Sequence, residues 1–128
     1  MKSILITGVS TGIGRACAKL LCTSQYKVFG TVRNEGDRIK VQQDCGENMH
    51  PMIMDVTNQQ SIMEAKSIVE SKLKDKKLDV LINNAGIGLG GPIKYIDTDI
   101  FRKQFEVNLF GVVSVTKIFL ELLGANEE

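Results

Sequence analysis

Along the chain, short β-branched runs alternate with longer stretches in which apolar residues return every three or four positions. Ser3 to Thr7 reads as a buried strand. It is followed by Ile13, Cys17, Leu20 and Leu21 at helical spacing, up to the polar break Thr23-Ser24-Gln25. Lys27 to Val32 predicts a second strand, and a polar helix is expected over Arg38 to Asp44, capped by Asp37 and ended by Gly46. Met52 to Met54 gives a third strand. Thr57-Asn58-Gln59-Gln60 then has the spacing of a capping box, opening a helix with Ile62, Ala65, Val69 and Leu73 on one face. Leu78 to Ile82 is the fourth strand. After a glycine-rich loop from Gly86 to Pro92, a long last helix is expected from Asp97 or Thr98, carrying Phe101, Phe105, Val112, Val115, Phe119 and Leu122. Strands alternating with helices in this way predict βαβ units and a parallel α/β sheet.

Composition narrows the partners. The 128 residues have room for one domain, and 43% hydrophobic with 24% charged residues is ordinary for a globular chain. With 16 basic and 15 acidic side chains and no Lys/Arg block, there is no electrostatic footprint for nucleic acid or an anionic membrane surface. Three cysteines without a C-x-x-C pair and a single histidine, His50, argue against a disulfide framework and against a metal site. Reduced thiols imply a cytoplasmic protein. The apolar start of the chain is cut short by Thr7 and Gly8, which is not a signal peptide, and the stretch from Leu109 to Val115 is too short to span a bilayer.

Chemistry concentrates at the strand ends. The first strand runs into Thr7-Gly8-Val9-Ser10-Thr11-Gly12-Ile13-Gly14, a glycine-rich turn opening a helix. Such a turn suits a phosphate, because glycines allow close backbone approach while the free N–H groups at a helix start attract negative charge. Asn83-Asn84-Ala85-Gly86 follows the fourth strand, Asp55-Val56 follows the third, and Asn108 stands within Phe105-Glu106-Val107-Asn108-Leu109-Phe110-Gly111. Each has a plainer reading: Asp55 as a turn cap, Asn83 and Asn84 as ordinary loop residues, and Asn108 as a structural polar residue. Asn108 and Gly111 are both poor helix-interior residues, which points to a kink or to backbone exposure at that place.

Together these motifs resemble the short-chain dehydrogenase/reductase family, of classical type. The stretch from Gly86 onward is most similar to the branch of retinol and steroid dehydrogenases and their bacterial relatives. The resemblance implies a Rossmann-type doubly wound parallel sheet of strand order 3-2-1-4, forming one dinucleotide-binding domain over residues 1–128 that is truncated after four strands and the following long helix. Gly8, Ser10, Thr11, Gly12, Ile13 and Gly14 would form the cofactor loop, Asp55 and Val56 the adenine contact, and Asn84, Ala85 and Gly86 a further cofactor contact. Asn108 would be the catalytic Asn that holds a water in a proton relay. At the end of the second strand, the position of an acidic residue that would bond the ribose of NAD is filled by Val32 and followed by Arg33. This resembles the NADP-preferring pattern, with Thr11 as a second contact to the 2′-phosphate; the other reading of Arg33 is a solvated side chain.

The family's Ser and Tyr-x-x-x-Lys do not occur in these 128 residues. Tyr26 is followed four positions later by Gly30, Tyr95 by Asp99, and Ser114 falls inside the last helix. The closing Gly124-Ala125-Asn126-Glu127-Glu128 also departs from a pattern that would continue into a fifth strand. Three readings follow. The chain is the N-terminal part of an NADP-dependent oxidoreductase acting on a small alcohol or carbonyl substrate, inactive by itself; or a catalytically inactive NADP-binding module; or an interaction protein completed by a partner chain. The missing fifth strand would bare strand four and the face of Phe105, Val112, Val115 and Phe119, so a homo-oligomer through the last helix and strand four is expected.

Overall fold

The computed structural model describes residues 1–124. Four parallel strands, β1 (Ser3–Ile6), β2 (Lys27–Val32), β3 (Met49–Ile53) and β4 (Val80–Ile82), lie in the order β3-β2-β1-β4. Helices α1 (Gly12–Thr23) and α2 (Glu35–Cys45) cover one face. On the other lie α3 (Gln59–Leu73) and the last helical region, α4 (Thr98–Phe105), a π-helical segment (Glu106–Gly111) and α5 (Val112–Phe119). The expected fold class and strand order are those observed. No helix among the described residues is long and apolar enough to cross a membrane.

Both faces of the sheet are covered, so its strands are apolar on both sides, as parallel strands are. Leu5, Phe29 and Met52 pack with Ile62, Ala65, Val69 and Leu73 of α3 and with Val115 and Phe119 of α5. On the opposite face Ile6, Val28 and Met49 pack with Ala18 and Cys22 of α1 and Val41 of α2.

Several local expectations shift. The fully buried face of α1 is Gly14, Ala18 and Cys22; of the expected residues Cys17 and Leu21 are half-buried against the same core, whereas Ile13 and Leu20 are exposed, Ile13 to 79%. Small residues face the sheet because they let the helix approach it closely. α2 starts three residues early because the Asn34 side chain accepts the Asp37 N–H (2.8 Å), displacing Asp37 as cap. β3 extends back to Met49 through His50 and Pro51, since an edge strand tolerates a residue without an N–H. The cap of α3 is Asn58, which accepts the Ser61 N–H (3.0 Å), while Thr57 bonds to Asp55 instead. β4 begins at Val80; Leu78 precedes it.

The expected exposed face is also corrected. Val115 and Phe119 are fully buried against the chain's own α3 and sheet, and Leu78 forms a parallel bridge with Leu123. The Leu78 N–H donates to Leu122 O (2.7 Å) and the Gly124 N–H to Leu78 O (3.2 Å). The approach to β4 is therefore covered by the chain itself. The expected departure from a fifth strand over the closing residues falls, from Ala125 onward, outside the described residues. Phe105, in contrast, is 58% exposed. Phe119→Ala is expected to cost about 3–5 kcal/mol in urea unfolding, and Phe105→Ala about 1 kcal/mol or less. Equal costs would show that the last helix is not seated as described.

Candidate nucleotide-binding cleft

A cleft of about 480 Å³ opens at the C-terminal ends of the strands, where open α/β sheets bind their ligands. It gathers Gly8, Ser10, Thr11, Gly12, Ile13, Gly14, Arg33, Asp55, Val56, Asn84, Ala85 and Gly86, together with neighbouring apolar side chains. Four separate strand ends supply these residues. Asn108 is not among the residues lining the cleft; its side chain bonds the backbone of Ile87, which is.

The turn after β1 is held by close contact. Gly8 has φ +71°, and a Cβ on it would stand 2.8 Å from Ala85 Cα; a Cβ on Gly14 would come within 2.1 Å of Gly8 O. Gly12 also has positive φ, but faces open space. Thr7 fastens the turn to the end of β4: its Oγ1 accepts the N–H of Asn84 (3.0 Å) and of Ala85 (2.9 Å). In return the Asn84 amide donates to Thr7 O (3.0 Å) and Gly8 O (2.9 Å). On the β2 side, Thr31 Oγ1 accepts the Gly8 N–H (3.2 Å) and Thr31 O accepts the Val9 N–H (2.9 Å). Thr7 and Thr31 were not singled out in the sequence, although each stands at a strand end beside the glycine turn. The Asn84 side chain is occupied in the tie between the strand ends.

Three helices that follow loops begin with a side-chain cap, from Asn34, Asn58 and Asp97. α1 does not: Thr11 makes no side-chain cap hydrogen bond. The first-turn N–H groups of α1 thus lie beside the cleft without a side-chain acceptor, and with the helix dipole they suit a pyrophosphate. Arg15 braces this turn, donating to Ser10 O (3.2 Å) and Lys40 O (3.3 Å) and pairing with Asp44, whose carboxyl it holds below its ordinary pKa.

Arg33 is exposed at the mouth of the cleft, and none of the ion pairs among the described residues involves it. Val32 beside it is only 2% exposed and packs into the core. Asp55 Oδ1 accepts from both the N–H (2.9 Å) and the hydroxyl (2.7 Å) of Thr57, so the turn-cap reading of Asp55 describes one of its oxygens. Val56 presses on Gly111, where a Cβ would meet Val56 Cγ2 at 2.7 Å.

Asn108 lies in the π-helical segment, which breaks the last helix where the sequence pointed to a kink. Its Oδ1 accepts the Ile87 N–H (2.8 Å) and its Nδ2 donates to Ile87 O (2.7 Å). Asn83 Nδ2 donates to Thr116 Oγ1 (3.0 Å), tying the same strand end to α5. Among the described residues no three His, Cys, Asp or Glu side chains come together as metal ligands do.

A doubly wound sheet with a glycine turn at its first strand end defines a dinucleotide-binding class of protein. Within that class, the family model for short chain dehydrogenases matches residues 2–128, and the chain belongs to that family. It is 37% identical over 129 residues to the NADPH-dependent 3-dehydrocapnine reductase of Ornithobacterium rhinotracheale, covering 100% of this chain and 45% of that protein. It is 40% identical over 126 residues to estradiol 17-beta-dehydrogenase 2 of Rattus norvegicus, covering 95% of this chain and 33% of that one. Among solved structures, the NADPH-bound carbonyl reductase from chicken fatty liver matches with a TM-score of 0.87 at 26% identity, over 95% of this chain and 48% of that one. The chain thus spans less than half the length of these proteins.

Replacing Thr7 by Val keeps its shape but leaves the N–H groups of Asn84 and Ala85 without their acceptor. The expected loss is about 2 kcal/mol of stability by thermal or urea unfolding, largely restored in Thr7→Ser. A Val variant as stable as the native protein would remove Thr7 from the tie.

Proposed function

We propose that this chain is the cofactor-binding part of an NADP-dependent oxidoreductase that moves a hydride between the nicotinamide and an alcohol or carbonyl substrate. Residues 1–128 would then form one incomplete dinucleotide-binding domain. The observation that carries this is Arg33, an exposed cation at the end of β2 with no ion-pair partner among the described residues, beside an apolar Val32 where an NAD-binding site would place a carboxylate. The NADPH-dependent reductase and the NADPH-bound carbonyl reductase among the similar proteins support the same choice.

In this reading Gly8, Ser10, Gly12, Ile13 and Gly14 seat the pyrophosphate against the start of α1. Arg33 and Thr11 receive the 2′-phosphate, and Asp55 and Val56 border the adenine. Asn84, Ala85 and Gly86 bound the cofactor on the β4 side. When bound, NADPH supplies the hydride. Asn108 would hold the water of the proton relay from the π-helical segment, with its side-chain amide engaged on the backbone of Ile87. The Ser and Tyr-x-x-x-Lys, which in this family move the substrate proton, would come from outside these 128 residues. Without a positioned proton donor, worth about 10²–10⁴-fold in rate, these residues alone are expected to bind cofactor and not turn it over. The free thiols of Cys17, Cys22 and Cys45 fit a reducing, cytoplasmic setting.

Titration of the purified chain is expected to give tighter binding of NADPH than of NADH. Arg33→Ala should weaken NADPH about tenfold and leave NADH unchanged, because it removes a charge-assisted bond to the 2′-phosphate. Val32→Asp should reverse the order and lower the melting temperature, since that side chain is buried. Equal affinities in the native chain would overturn the cofactor assignment.

The apolar side chains left exposed on the last helical region, among them Phe105, Leu109, Phe110 and Val113, support contact with a second copy of the chain. Sedimentation velocity should give a dimer mass for the native chain and a monomer mass for Phe105→Asp. A native monomer at high concentration would refute this contact.

A further inference from the structure

Between β4 and α4 the chain passes through Gly86, Gly88, Gly90 and Gly91 in four of six positions. A segment so rich in glycine has the largest backbone entropy to lose on ordering. Two side chains hold it. Asn108 exchanges two hydrogen bonds with the backbone of Ile87, and Gln104 does the same with Leu89: the Leu89 N–H donates to Gln104 Oε1 (3.1 Å) and Gln104 Nε2 donates to Leu89 O (2.8 Å). The spacings match. Four residues along a helix advance about 6 Å, and two residues along an extended chain advance about 6.6 Å. Two amides one helical turn apart therefore meet alternate residues of an extended strap, each pair trading both bonds as facing residues do in a hydrogen-bonded antiparallel pair.

We propose that Gln104 is a positioning residue for the cofactor: with Asn108 it clamps the strap 87–89, and so places Ile87 as the wall of the cleft on the β4 side. This rests on the nucleotide reading above. The strap lies at the opposite end of the cleft from Arg33 and Asp55 in the strand order β3-β2-β1-β4. It therefore borders the nicotinamide half of the dinucleotide, while the adenosine half meets the ends of β2 and β3. Loosening the strap should be felt by one half of the ligand alone.

The experiment compares the native chain with Gln104→Met, which keeps the length of the side chain and removes both bonds, and with Gln104→Glu, which keeps the acceptor for the Leu89 N–H and removes the donor. Amide hydrogen exchange reads the clamp directly. Leu89 should exchange at least about tenfold faster in Gln104→Met, with Ile87, still bonded to Asn108 at one end of a loosened strap, faster by a smaller factor, and Gln104→Glu intermediate at Leu89. Binding reads its consequence: NADPH should weaken about tenfold, whereas adenosine 2′,5′-bisphosphate, which lacks the nicotinamide half, should bind unchanged. A general loosening of the fold would weaken both ligands alike, and that result would overturn the proposal. So would unchanged exchange at Leu89 in Gln104→Met. Should the native chain bind neither ligand, the nucleotide reading and the cofactor role of Gln104 fall together, and the exchange rates still decide whether Gln104 clamps the strap.

Discussion

The turn leaving β1 lies so near the end of β4 that one methyl group on Gly8 or Gly14 would overlap its neighbours, with Ala85 Cα and Gly8 O as the atoms in the way. That close approach governs the cleft. It brings the start of α1 beside the loop after β4, and hydrogen bonds in both directions between Thr7 and Asn84 keep it there. Positive φ at Gly8 and Gly12 turns the chain within a few residues from strand to helix. With Thr11 making no cap bond, the dipole and the unfilled N–H groups of α1 face a space that protein atoms do not occupy.

The far wall of the cleft depends on a second close approach. Val56, after β3, packs where a Cβ on Gly111 would stand, and the helix carrying Gly111 departs there from the ordinary hydrogen-bond pattern into a π-helical segment. Such segments are tolerated where neighbouring packing over-determines them. Here α5 beyond the break is anchored by Val115 and Phe119 in the core, while Gln104 and Asn108 before and within it are bonded to the strap. The break thus joins a rigid half, buried against α3, to a half that shapes the cleft.

Much of this was legible in the residues, and the reason differs between elements. α3 follows its expected face through Ile62, Ala65, Val69 and Leu73 because amphipathic spacing reports burial directly when one face meets the core. α1 follows its expected face only in part, because Ile13 and Leu20 point outward, Ile13 beside the cleft, while Gly14, Ala18 and Cys22 face the sheet with Cys17 and Leu21 half-buried against the same core. Helix starts shifted by one to three residues where a neighbouring Asn supplied the cap instead, as Asn34 does for the Asp37 N–H and Asn58 for the Ser61 N–H. Grouping of the site residues was readable from their places at strand ends, whereas the bonds of Thr7, Thr31 and Gln104 link residues that are distant in the chain or belong to different elements.

What the amino-acid order determined by itself is local: the alternation of strands and helices, apolar runs for a sheet buried on both faces, glycines where the backbone must turn tightly, and the residue types at each strand end. Tertiary structure decided which groups meet. Whether Val115 and Phe119 are buried depends on α3 and on the sheet they pack against, and whether the amide of Asn84 or Asn108 faces a ligand or the backbone depends on partners brought up by other elements. Periodicity measures how a segment divides its own faces; it carries no information on what arrives from a distance to cover them. That is settled only when the chain closes on itself.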